Sequence, residues 1–295
     1  MNEMYVRTIA QNELYVPPLL REHLIALEAT RTSEDVWTLL LSLAAALDLP
    51  IVEYIFATDH RNWEQVQFIR TTVSSDWIPV AQSDPDVRRE SAFRTHSIRY
   101  LTPYTAGWAY VDDMPGLSPK RRAFIKEVKE NFGVNSSFVV PLRMTEPGQA
   151  AHIAFGGPQD REVFDELLVE HGWTLHTFAL SAHMRYVELF KSEFLGRNQL
   201  TDKQKELLQL LGLGLLDKQI AHELGISFSA VRQRLAAVQQ KTGTSNRAEL
   251  AALAMRVGLV ADPLLKSHGS DLTVFLSMGD GKTGVETLRH EPQDD

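Results

Sequence analysis

The 295 residues are about twice a typical domain length, so two separate cores are expected. An apolar fraction of 44% beside 23% charged residues excludes a disordered, collagen-like or disulfide-scaffold chain, and the lack of cysteine excludes disulfides, thiol chemistry and thiolate zinc sites. The longest apolar runs, Trp37–Leu47 and Leu207–Leu216, are shorter than the ~20 residues a bilayer demands, and no basic-then-apolar signal region opens the chain, so a cytoplasmic protein without a membrane partner is expected. The net charge of −8 is unevenly spread: residues 1–195 carry 18 Lys and Arg against 26 Asp and Glu, residues 196–260 carry 9 against 5, and residues 261–295 carry 3 against 7. Phosphate binding needs local rather than total positive charge, so the basic middle block is the place to look for a nucleic-acid contact.

In chain order, Pro17 and Pro18 precede a helix over Leu19–Ala29. Thr32-Ser33-Glu34-Asp35 reads as a capping box for a second helix with Val36, Leu39, Leu40, Leu43, Ala44 and Leu47 on one face, stopped by Pro50. The β-branched and aromatic runs Ile51–Ala57, Val66–Val73, Ser137–Leu142 and Ala151–Phe155 read as strands, the last two forming a hairpin around Thr145-Glu146-Pro147-Gly148. A helix over Pro119–Phe132 ends at Gly133, and a long helical tract over Arg161–Leu195 is expected to break near His171-Gly172. The order predicts an α+β chain: an α/β/α sandwich around an antiparallel sheet over 1–195, a four-helix module over 196–262 entered through Gly196-Arg197-Asn198-Gln199, and an acidic, flexible tail over 263–295.

The module opens with Thr201-Asp202-Lys203-Gln204, a second capping box. Its centre places Ala221 where two helices would cross closely, Gly225 where the turn needs positive φ, and Val231 where an apolar residue would lock a second helix; Ile220, Leu224, Ile226 and Leu235 complete a shared core. Ser227 is a natural N-cap for a helix over Phe228–Thr242 that offers Ser229, Arg232, Gln233 and Arg234 near its start, where a recognition helix meets base edges. The bland alternative is a structural helical hairpin with a solvated basic face.

These residues, with Leu200, Glu206, Gly214, Gln219, Lys241, Gly243, Asn246-Arg247 and Gly258-Leu259, resemble the LuxR-type DNA-binding domain over about sixty residues, departing from it at Lys203-Gln204, Leu215 and Arg234. The resemblance implies that Arg232 and Arg234 read bases while Lys218, Lys241 and Arg247 hold phosphates. It also implies a homodimer on double-stranded DNA with an inverted-repeat operator. Leu250, Leu253, Ala254 and Val257 form a narrow stripe on the last helix that is either intramodular core or the dimer seam.

The first domain begins with helices, not with the strand and paired acids of a phosphoryl receiver. Its αββ order, Ser75-Asp76-Trp77, Trp108 and the later hairpin resemble the autoinducer-binding domain of quorum-sensing LuxR regulators. That implies an acyl-homoserine lactone or a related small apolar ligand near Trp77 and Trp108, with Tyr54, Tyr100, Tyr104 and Tyr110 available as hydroxyls. The tyrosine expected four residues after Trp77 is Ala81. Phe93-Arg94 stands where the ligand-binding aspartate belongs, and Asp84-Pro85 lies elsewhere. The alternatives are a ligand-independent regulator, an antagonist that heterodimerises with other LuxR-type regulators, or an enzyme domain fused to a DNA-binding module.

No enzyme activity, metal or cofactor is expected. Gly279–Gly284 lacks the first glycine and the helix of a phosphate loop. Asp59-His60, His96 and the other histidines read as surface or capping residues, and Lys120-Arg121-Arg122 reads as a solvated face.

Overall fold

The computed structural model describes residues 15–57, 66–74, 76, 90–91, 93–114, 116–143, 150–260, 272–277 and 283–288. Trp77, Asp59-His60, Ala81, Asp84-Pro85 and the 145–148 turn lie outside the described residues. The chain divides into two compact units, Met1–Phe190 and Lys191–Asp295.

In the first unit, α1 (Pro18–Glu28) starts at a proline whose missing N–H costs nothing in a first turn. The capping box of α2 (Ser33–Ala46) is present: Asp35 donates its N–H to Thr32 Oγ1 at 3.1 Å and accepts the Thr32 N–H at 2.8 Å. Backbone N–H groups of Arg31 and Thr32 hold the Asp35 carboxyl below the usual carboxylate range.

Five strands, β1 (Ile51–Ala57), β2 (Val66–Thr71), β3 (Tyr104–Ala106), β4 (Ser136–Leu142) and β5 (Ala150–Gly157), form a sheet of order β2-β1-β5-β4-β3. All four pairings are antiparallel, with Tyr54 opposite Ile153 and Val139 opposite Ala154. Side chains alternate along each strand, so this register sorts the residues into two faces. On one, Val52, Tyr54, Phe56, Val140, Leu142, Ile153 and Phe155 share a single core with α1, α2 and the buried side of α4 (Arg161–Arg197). On the other lie Ile51, Glu53, Ile55, His152 and Ala154, roofed by α3 (Pro119–Phe132) and by short helical segments at 93–97 and 108–113. Ser118 caps α3, and Gly133 ends it in the left-handed region at φ 71°. The three layers of the expected sandwich are therefore present.

α4 departs from expectation, running through His171-Gly172 and Gly196-Arg197 as 37 unbroken residues. A mid-helix glycine costs only about 1 kcal/mol. Burial of Phe164, Leu175, Phe178, Ala179, Ala182, Tyr186 and Leu189 along one side outweighs it. The unit boundary accordingly falls inside α4.

The second unit holds α5 (Asp202–Gly212), α6 (Asp217–Glu223), α7 (Phe228–Thr242) and α8 (Arg247–Arg256) around Leu207, Leu208, Leu211, Ile220, Val231, Leu235, Val238, Leu250 and Ala254. The tail is not wholly flexible: β6 (Leu272–Ser277) pairs antiparallel with β7 (Thr283–Leu288), with Phe275 opposite Val285. The β-branched Thr273, Val274, Thr283, Val285 and Thr287 favour this hairpin.

Candidate DNA interface and ligand cavity

α6 and α7 meet through a tight bend. Gly225 has φ 60°, a conformation that strains any side chain, and Ile226 donates its N–H to Ala221 O at 3.0 Å to close the turn. Ser227 then caps α7, its Oγ accepting the Ala230 N–H at 3.1 Å. Val231, Leu235 and Val238 face inward, which leaves Ser229, Arg232 and Gln233 exposed over the first turns and Arg234 half-buried. Neither arginine has a hydrogen-bond partner among the described residues. Lys218 is exposed on the first turn of α6.

The other two expected phosphate contacts are engaged within the module. Lys241 donates to Gln199 O at 2.6 Å and to Gln204 Oε1 at 3.0 Å, tying the end of α7 to the start of α5. The Arg247 guanidinium pairs with the Asp217 carboxylate and donates to Leu215 O, clamping α8 onto α6. The apolar stripe on α8 is partly covered within the module. Leu250 and Ala254 are buried among the core residues of α5, and helix approach is so close that a Cβ on Gly212 would lie 2.8 Å from Ala254 Cβ. Leu253 and Val257 are half-buried. Leu250 and Ala254 therefore serve the module's own core, and Leu253 and Val257 keep part of their surface exposed.

In the first unit, the α3 face of the sheet borders a partly open cavity of about 540 Å³. Its apolar wall includes Phe124, Ile125 and Val128 of α3 with Val134 and Val139. Apart from Tyr104, its polar part was not expected. Glu53 Oε1 lies 3.4 Å from His152 Nε2; His152 Nδ1 lies 3.1 Å from Ser97 Oγ, which lies 3.1 Å from the Tyr104 hydroxyl. Burial pushes the Tyr104 hydroxyl well above its ordinary pKa. Arg121 turns inward beside Glu53 and Glu90, its guanidinium 5.0 Å from the Phe124 ring, and burial lowers it to about 10 despite both carboxylates. Glu90 also accepts the Ser118 N–H at 2.9 Å.

Reading Lys120-Arg121-Arg122 as one solvated face is thus corrected, because position 121 shares the inward side of α3 with Phe124, Ile125 and Val128. The histidines are corrected too: His23, His152 and His183 are buried. The order Ser97, His152, Glu53 imitates a hydrolytic triad, but Ser97 is 0% exposed, does not line the cavity, and shares its hydroxyl with Tyr104, so it offers no nucleophile.

Residues 198–254 match the bacterial regulatory proteins of the luxR family. The C-terminal module is a luxR-family domain. Over 62 residues the chain is 37% identical to the transcriptional regulatory protein YdfI of Bacillus subtilis (strain 168), which covers 21% of this chain and only 29% of that protein's length. The crystal structure of Escherichia coli SdiA superposes with a TM-score of 0.50 at 16% identity, covering 82% of this chain and 98% of that one. CepR2 of Burkholderia cenocepacia, described as an N-acylhomoserine lactone dependent LuxR family factor, gives a TM-score of 0.46 at 16% identity over 58% of this chain and 95% of that one. The likeness to SdiA covers most of the chain and shows the same α+β fold beyond the LuxR-type module.

Of the residues expected near a ligand in this LuxR-like chain, Tyr104 lines the cavity, but Tyr54 does not. Tyr54 follows Glu53, so its ring points to the opposite face, where its hydroxyl lies 2.7 Å from His183 Nδ1. Trp108 is half-buried outside the cavity wall, and Tyr110 donates its hydroxyl to Asp165 at 2.6 Å. Tyr100 is 54% exposed and contributes its carbonyl to Arg143. Among the described residues no cluster could hold a metal ion and no helix is long and apolar enough to cross a membrane.

Proposed function

We propose that this chain is a cytoplasmic, sequence-specific transcriptional regulator and not an enzyme, acting as a homodimer on an inverted-repeat operator. The observation that carries the reading is the first turn of α7: a capped helix, presented by the bend at Gly225, with Ser229, Arg232 and Gln233 turned to solvent. Such a helix fits the major groove, and an arginine there reads guanine bidentately. Arg232→Ala is expected to weaken operator binding by about 1–3 kcal/mol. An unchanged mobility-shift midpoint at fixed salt overturns that role.

Regulation follows from the cavity, whose volume and mixed lining suit a small apolar ligand with a polar head, an acyl-homoserine lactone or an analogue. Binding would shift the population of states without any chemistry. Titration with acyl-homoserine lactones tests that class, through a rise in Tm or a change in tryptophan fluorescence.

For the homodimer, the structure favours α4 over α8. Val169, Trp173, Leu180 and Met184 lie along one side of α4 and are 90%, 65%, 41% and 66% exposed. An antiparallel second copy centred near Phe178 and Ala179 would set Trp173 against Met184 in both directions, as a twofold interface requires. Trp173→Glu is expected to shift the sedimenting species from dimer to monomer.

A further inference from the structure

Glu53 sits at the third position of β1, a strand otherwise apolar or aromatic, and faces the cavity from the sheet floor. A carboxylate in that position loses hydration and needs compensation. Inside the fold its hydrogen-bond contact is His152 at 3.4 Å, too long for a strong one. Among the described residues of the wall the guanidinium is that of Arg121, which faces both Glu90 and Glu53. Asp113, at the cavity's rim, is held by Arg161 at 2.8 Å. Counting Glu53, Glu90 and Asp113 against Arg121 and Arg161, the described residues of the wall leave one negative charge in excess, and Glu53, whose contact with His152 is 3.4 Å long, has the weakest partner among those carboxylates.

We infer that Glu53 is the specificity residue of the cavity, admitting an amphiphile with a positively charged, hydrogen-bond-donating head and excluding one with a carboxylate head. The head would lie against Glu53, with Thr71, opposite it on β2, and His152 beside it. The chain would run along Phe124, Ile125 and Val128. A neutral head, lactone or alcohol, can donate or accept there but leaves the charge uncompensated, while an anion meets like charge at short range in a poorly solvated space.

The inference rests on the ligand reading above, and its test separates the two. Hexylamine, hexan-1-ol and hexanoate, which share one alkyl chain, are titrated into the full chain and followed by the rise in Tm and by calorimetry. Hexylamine is expected to bind at least about tenfold more tightly than hexan-1-ol, with hexanoate weaker still. Glu53→Gln is expected to bring the amine and the alcohol together and to admit hexanoate. Hexanoate as the tightest probe, or an amine preference that survives in Glu53→Gln, overturns the inference. Equal binding of all three overturns it while leaving a ligand cavity in place, and no binding by any of them removes both.

Discussion

The two faces of the five-stranded sheet are built from the same strands, residue by residue in alternation, yet they differ in kind. The face toward α1, α2 and α4 is filled with large apolar side chains, and its central polar pair joins the Tyr54 hydroxyl to His183 Nδ1, while the buried His183 Nε2 has no hydrogen-bond partner among the described residues. The face toward α3 holds a cavity and places Glu53, His152, Tyr104 and Arg121 around it. A fold gains little stability from turning a carboxylate and a guanidinium toward a cavity where apolar side chains could pack. The difference therefore divides the labour: one face supplies stability, and the other gives some of it up for recognition.

The largest expected effect tests that division by removing one phenylalanine from each side. Phe178 is fully buried in the α4 core, and Phe178→Ala should cost about 3–5 kcal/mol in urea unfolding. Phe124 is half-buried on the cavity wall, so less of its surface is removed from water than that of Phe178. Phe124→Ala should cost less than half as much. Equal losses would mean that the cavity face is packed as a second core.

Next in size is a pH effect confined to the stable face. Burial drives His183 down to about 4 from its ordinary value of 6.5, so it is neutral in the folded chain at neutral pH. The groups against it are the Tyr54 hydroxyl, whose own pKa burial raises, and Tyr186, whose ring lies 5.1 Å from that of Tyr54 and whose hydroxyl accepts from Arg70. Between those two pH values the unfolded chain binds a proton that the folded chain refuses. Stability from this group is therefore complete above about 6.5 and is lost as the pH falls toward 4, by on the order of 3 kcal/mol. His183→Gln should flatten that part of the stability curve. A slope as steep as the parent's would assign the proton to another residue.

The LuxR-type module was legible because its signals are local. Thr201 with Gln204 and Ser227 with Ala230 are caps read three residues apart, and Gly225 marks its turn by type alone. α3 was bounded correctly by Pro119 and Gly133 for the same reason. Tyr104 was named from the sequence, but its company was illegible because Glu53, Tyr104, Arg121 and His152 come from four separate elements that meet only through strand register and the inward side of α3. Two faint signs were present: a lone glutamate in Ile51–Ala57 and a lone histidine in Ala150–Gly157, each in an otherwise apolar strand. Local reasoning also misled. Gly172 looked like a break that tertiary burial overrides, and the α8 stripe of Leu250 and Ala254 showed an apolar face without showing that α5 covers it. For Lys241 and Arg247 the fold adds what their charge alone does not show, bonds within the module to α5 and α6.

The smallest expected effect is the sharpest for the contrast between faces. Glu53→Gln keeps the side chain's shape and removes its charge from a wall that already holds a negative excess. The His152 contact it weakens is 3.4 Å long, and a pair of that length that is partly open to solvent contributes little. Thermal or urea unfolding should therefore shift by less than about 1 kcal/mol, in the stabilising direction if the relief of desolvation outweighs the lost contact. The same substitution is expected to change ligand choice at least about tenfold, so binding and folding would respond very differently to one atom's exchange. A loss of several kcal/mol instead would make Glu53 a structural partner of His152, and the α3 face would then be held together by its polar chain rather than opened for a ligand.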